Sequence, residues 1–325
     1  MPISDTQRIG PFPVGMDNRA PDFDLALPQD AGHLLRDALN VDVTTTGSVK
    51  TRKGFTEVIA GSDAHSLWAP LSGEFALYCE AGSVYRLDVP DVGAPQRAEI
   101  ATGFGYLGYL RYTEVNEAVY FTDGILTGSY HPYIGPTPAW TSATDKTVGD
   151  QALAPMPAGS NIAHHGGRLL VAVGSALIYS EPFTPHLRDP ARGYELFPSA
   201  IKCIAAVEGG VFVVADKTYF IAGGFPAQGV RAVLPYGGPE QQAGYRDDGG
   251  AHWMSSRGVV SCNAGGELSN LQEAHVAMSV EGSAATLMRE SDGMRSIVAA
   301  LTEQGNLGAG VGSYAQARII RKETP

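Results

Sequence analysis

The sequence predicts an all-β protein: a β-propeller of six or seven blades behind an extended N-terminal arm. Three observations predict it. Glycine supplies 40 of 325 residues and proline 21 more, spread along the chain without a collagen period, which means many turns. Between the turns lie short apolar or aromatic runs of strand length. The run–turn–run units recur at a spacing close to the ~40–45 residues of a propeller blade. A multi-sheet β-sandwich is the alternative architecture, but sandwiches turn every ~8–12 residues and carry no longer period.

Residues 1–30 read as the arm. "APDFDLALP", residues 20–28, alternates acidic and apolar residues and has no blade-like period. Residues 31–325 read as one propeller domain. Residues 30–40 predict a short helical turn with Leu34, Leu35 and Leu39 on one side. The stretch "RDALNVDVTTTGSVKTRKGFTEV", residues 36–58, predicts strand, turn at Gly47, and strand. It gathers Lys50, Arg52 and Lys53 in a chain of net charge −11.

Six further hairpins follow, turning at Ala81-Gly82, Asp123-Gly124, Val173-Gly174, Asp216-Lys217, Arg257-Gly258 and Gln304-Gly305. The second members are separated by 42, 50, 43, 41 and 47 residues, and Gly47 precedes Gly82 by 35. Glycine supplies the positive φ, or aspartate the side-chain turn, that a tight hairpin requires. The longest interval holds the Pro-rich residues 131–160, an insertion between blades. Residues 270–278 predict a second helical turn capped by Asn270.

Composition excludes several function classes. The acidic balance argues against a general nucleic-acid-binding surface. No apolar run approaches the ~20 residues of a membrane helix, and residues 1–15 lack a signal-peptide core. Cys79, Cys203 and Cys262 are odd in number, widely spaced and set in apolar runs, so they read as reduced core thiols rather than disulfides or zinc ligands. His164 and His165 are adjacent in a predicted strand and point to opposite faces, so they cannot readily share a metal. "ESDGMR", residues 290–295, lacks the spacing and tryptophan of a sialidase Asp-box and reads as an Asp-Gly hairpin. "RDDGG", residues 246–250, reads as a solvated turn. "GYLGYLRY", residues 105–112, reads as core aromatics. No nucleophile elbow, phosphate loop, dinucleotide fingerprint or zinc-protease motif is present. No catalytic residue, metal or cofactor is therefore expected. The competing reading is a propeller enzyme or lectin acting on carbohydrate, with Glu80, Asp123, Asp216 and Glu290 as the acids it would need at the channel.

The opening stretch resembles the start of tail and head-to-tail structural proteins of tailed bacteriophages and prophages. The resemblance is carried by Arg36, Ala38, Asn40, Val41, Gly47, Arg52, Lys53 and Gly54, and by the leader "GMDNRAPDFDL", residues 15–25. It spans about 25 residues of motif; the remainder is similar in architecture only, and the chain is shorter than the nozzle proteins of short-tailed phages. The resemblance implies a virion tail component, a nozzle, collar or tail-tip ring made in a bacterial host cytoplasm. It implies assembly as a homo-oligomeric ring, with tail-tube, adaptor, portal-proximal or fibre proteins as partners. DNA would pass without sequence-specific binding. Phe12, Phe23, Leu25 and Leu27 are costly to expose and so mark an assembly interface, with Lys50, Arg52 and Lys53 as its charged rim.

Overall fold

The computed structural model describes residues 11, 15–19, 27, 32–36, 41–44, 46–51, 59–61, 63–90, 92–105, 108–137, 140, 147–148, 151–291, 294–301 and 318–319. Strands β1 (Val41–Val43) and β2 (Val49–Thr51) form the opening hairpin, a two-stranded sheet of its own. Sheet 1 is β3 (His65–Trp68), β4 (Ala76–Glu80), β5 (Ser83–Asp88) and β6 (Gln96–Thr102). Sheet 2 is β7 (Arg111–Val115), β8 (Ala118–Thr122), β9 (Thr127–His131) and β10 (Gly135–Thr137). The Pro-rich stretch then supplies a small hairpin, β11 (Thr147–Val148) with β12 (Gln151–Ala152), and β13 (Ala154–Pro155).

Sheet 3 is β14 (Asn161–His165), β15 (Arg168–Val173), β16 (Ala176–Tyr179) and β18 (Tyr194–Leu196), while β17 (Leu187–Arg188) pairs with β13. Sheet 4 is β19 (Cys203–Val207), β20 (Gly210–Val214), β21 (Thr218–Ala222) and β22 (Val230–Leu234). Sheet 5 is β23 (Gly244–Tyr245), β24 (Ala251–Ser255), β25 (Gly258–Cys262) and β26 (Leu268–Asn270). Sheet 6 is β27 (Ala284–Ser291), β28 (Met294–Leu301) and β29 (Arg318–Ile319).

The core shows how these antiparallel meanders stack. Among the described residues it falls into five apolar layers, each lying between consecutive sheets. Because side chains alternate across a strand, one strand feeds two layers. In β15, Leu169 and Val171 face sheet 2 while Leu170 and Ala172 face sheet 4. In β20, Val211 and Val213 face sheet 3 while Phe212 and Val214 face sheet 5. This is why runs such as "LLVAV" and "GVFVV" are apolar throughout rather than alternating. Antiparallel meanders in series, with sheets 2–5 buried on both faces by their neighbours, make the all-β propeller that the period predicts. They do not make a sandwich, which has one layer between two sheets.

The turns of sheets 1–5 fall where the spacing places them. Ala81 and Gly82 both have positive φ (49° and 80°), as a two-residue hairpin with right-handed strand twist requires. The β27–β28 register runs to Ser291↔Met294, and the Asp-Gly pair between them lies outside the described residues. Six sheets stand in series, and the opening hairpin does not become a blade. Gln304-Gly305 lies outside the described residues. At 30–40 the described part is extended rather than helical: Leu35 bridges Met16 in parallel, because the arm supplies backbone partners that an isolated short helix lacks. At 270–278 a single turn forms, with Asn270 Oδ1 accepting from the Gln272 and Glu273 N–H groups. No helix among the described residues is long and apolar enough to cross a membrane.

Candidate axial site

The innermost strands begin at His65, Arg111, Asn161, Cys203, Gly244 and Ala284. In a radial stack of meanders these first residues surround one mouth of the axis. Residues 239–242, which connect sheet 4 to sheet 5, cross that mouth. Their backbone joins sheet 6 through Glu240 N–H to Gly282 O (2.9 Å) and Ala284 N–H to Glu240 O (2.9 Å). It joins sheet 4 through Gln241 N–H to Lys202 O (3.1 Å).

The two glutamines staple opposite sheets. The Gln241 amide accepts from Met254 N–H (2.7 Å) and donates to Met254 O, taking the place of a strand residue along the edge of β24. The Gln242 amide does the same to Tyr112 in β7, accepting from its N–H (2.9 Å) and donating to its carbonyl (2.6 Å). Asn161, fully buried at the start of β14, donates to Gln241 O and Lys202 O. Sheets 2, 3, 4, 5 and 6 thus meet on four residues. Buried main-chain groups require such partners, and extended β23 is too short to supply them.

Beside the staples sits a buried cation. Arg111 is 8% exposed; its Nη1 donates to Leu110 O at 3.3 Å and its Nε is enclosed without an acceptor. Burial pushes its pKa down, opposed chiefly by Glu240. The Tyr109 ring lies over the guanidinium at 5.7 Å and meets the His65 ring edge-on at 5.6 Å. Ser66, held at φ 57° in a bulged strand, accepts from Leu110 N–H (2.9 Å) and bonds His65 Nδ1 (2.8 Å). Burial lowers the His65 pKa. The nearby Cys203 thiol is pushed up to about 12 by burial, which leaves it unreactive at neutral pH.

The sequence-predicted interface residues divide. Leu27 is half-buried, and Lys50 is exposed on β2. Phe12, Phe23, Leu25, Arg52 and Lys53 lie outside the described residues. The arm at 17–18 docks on its own chain. Asp17 meets His275 Nδ1 at 2.9 Å, and Asn18 exchanges side-chain hydrogen bonds with Ala277 N–H (2.7 Å) and O (3.2 Å). The opening hairpin touches sheet 6 through Asp42 and Arg289 (3.5 Å).

The acids of the carbohydrate reading are held by separate local partners. Glu80 pairs with Arg97 (2.7 Å), Asp123 accepts turn N–H groups, Asp216 accepts from Tyr219 and Glu290 meets Arg295 (3.3 Å). Among the described residues no metal-ligating cluster occurs. The three cysteines are free and buried, as expected. Arg246 and Arg295 neutralise the 246–250 turn through Asp248 and Asp247. Arg111, Asn161, Gln241 and Gln242 carried no motif; the one trace of the crossing segment is "PEQQ", a strand-free polar run between two apolar strands.

No family model and no curated protein matches the chain. Among solved structures, it is similar to a functionally unknown protein from Desulfotomaculum acetoxidans DSM 771 (11% identity, 81% of this chain, 91% of that one, TM-score 0.45). It is similar to the AfRom2 CNH domain (12%, 79% and 84%, TM-score 0.44) and to the WD40 β-propeller domain of Doa1 (11%, 71% and 74%, TM-score 0.42). Likeness at this level says nothing of function.

Proposed function

We propose that the chain is a structural component of a phage tail or head-to-tail connection, a nozzle, collar or tail-tip ring, that works by symmetric assembly without catalysis. One observation carries the reading. In an up-and-down meander the first and third turns of every sheet share one face, and on sheets 1–3 these turns expose large apolar side chains. They are Leu71, Val89, Val92, Tyr133, Ile134 and Phe183, each between 60% and 90% exposed. Apolar tips gathered on one face favour burial against a protein partner. The similarity of residues 36–58 to phage tail and head-to-tail proteins supplies the class of partner: neighbouring copies of this chain and adjoining tail proteins. The propeller's own axis is bridged by residues 239–242, so any DNA path runs through the lumen of a ring of copies.

Light scattering on the purified chain and mass spectrometry of tailed particles test the proposal. The expected result is a closed oligomer or incorporation into particles, both lost in a Tyr133→Ser, Ile134→Ser, Phe183→Ser variant that melts as the parent does. A chain that stays monomeric at high concentration and is absent from particles sinks it.

A further inference from the structure

We propose that the axial mouth binds a small oxyanion, a carboxylate or phosphate group, through the in-plane N–H donors of Arg111. Arginine is normally buried with a partner, because a desolvated charge without one is strongly unfavourable. Arg111 is about nine-tenths buried, yet no carboxylate among the described residues lies within ion-pairing distance. Its Nε has no acceptor and its Nη1 has only a long bond to a carbonyl. Glu240 is near enough to influence it electrically, but that side chain is exposed and does not pair with it.

The surroundings fix the direction of approach. The Tyr109 ring lies over the flat face of the guanidinium, and the His65 ring meets Tyr109 edge-on. That leaves the edge of the fork, where a planar or tetrahedral oxyanion accepts two parallel hydrogen bonds. Arg111 is the first residue of its strand, next to Leu110, whose N–H bonds Ser66. Ser66, in its left-handed backbone conformation, anchors the start of β7 through Leu110 N–H and so fixes Tyr109 and Arg111 relative to sheet 1. Such a conformation is kept where the surroundings over-determine it, often at binding sites. The burial admits only a small group. The inference is independent of the assembly role.

Isothermal titration calorimetry of the whole chain with sodium acetate, and separately with inorganic phosphate, at constant ionic strength, tests it. Saturable one-to-one binding is expected for at least one probe, and which probe saturates identifies a carboxylate or a phosphate. Arg111→Met should weaken that binding by about tenfold or more, the loss of one charge-assisted pair. Glu240→Gln removes the competing negative charge at an exposed side chain, keeps the backbone bonds, and should tighten binding by a few-fold. This arm decides the matter if Arg111→Met fails to fold. Non-saturable heats with both probes overturn the proposal, as does equal binding by parent and Arg111→Met. Weaker binding by Glu240→Gln also overturns it, because Glu240 would then be part of the receptor rather than its competitor.

Discussion

Replacing Gln241 by leucine should cost more stability than any comparable change on the surface. The side chain is fully buried. Its amide answers both the N–H and the carbonyl of Met254, and also donates to Pro239 O at 3.2 Å. Leucine has a similar volume and offers neither donor nor acceptor, so two main-chain groups of β24 lose their partners inside the protein. Each such loss costs about 1–3 kcal/mol, so about 4 kcal/mol is expected for the pair. For a chain of this size about 2 °C of Tm follows each kcal/mol, which predicts a fall of about 8 °C. Gln242→Leu unmakes the equivalent bonds to Tyr112, but these are only part-buried, so about half that fall is expected. The double variant should lose less than the sum, since both staples hold one segment and releasing it once releases most of what either holds. Differential scanning calorimetry on the three variants reads all of this. A Gln241→Leu melt within about 2 °C of the parent would refute the stapling argument.

Three other outcomes follow. His252 is buried with neither ring nitrogen bonded, and burial lowers its pKa to about 4. The folded state therefore favours the neutral ring, and that stability is complete above pH 6.5 and is lost as pH falls toward 4, by about 3 kcal/mol. A His252→Leu variant should show a flatter melting-temperature profile over that window, and parallel profiles would count against it. Gly209→Ala drives a Cβ into the Gly265 backbone where sheets 4 and 5 approach; neither backbone can swing aside, so a loss of about 2 kcal/mol is expected. Gly224→Ala, which meets open space, should stay within about 0.5 kcal/mol of the parent in the same urea titration. Asn18→Ala removes both bonds to Ala277 and should speed limited proteolysis of the arm several-fold without moving the main melt; an unchanged cleavage rate would show that the arm is held elsewhere.

What was legible in the sequence was what repeats. Each blade needs its own tight turn, and for sheets 1–5 the glycine and aspartate positions marked it. The helical turn at 30–40 was misread because Leu34, Leu35 and Leu39 fit a helical face as well as they fit an extended segment. Only the tertiary bridge from Leu35 to Met16 decides between them. The axial site was illegible for a different reason. Gln241 and Gln242 act on partners 13 and 130 residues away, with no spacing rule linking them, and an amide pair in a polar connection looks like any solvated loop. Arg111 was hidden inside an aromatic stretch of which Tyr112, stacked on Trp68 at 5.6 Å, is core as expected, while Tyr109 is exposed.

The arm bears on how such a protein could assemble. Its described contacts on its own propeller combine a buried Asp17, a backbone bond from Asn18 N–H to His275 O at 3.1 Å, and solvated side-chain bonds. The Asp17–His275 pair has a half-exposed histidine, and the Asn18 bonds are exposed. Exposed pairs of this kind contribute about 0–1 kcal/mol each. Under the proposed assembly the arm would exchange these bonds for identical ones on a neighbour, the bonds broken in one copy being remade in the next. Burial of Phe12, Phe23, Leu25 and Leu27 between copies would then set the direction of the exchange, at about 1.5–3 kcal/mol for each large apolar side chain removed from water. Under the proposed assembly, folding back within one chain and reaching across to another are two occupancies of the same contacts at 275–277, and the concentration of neighbouring copies selects between them.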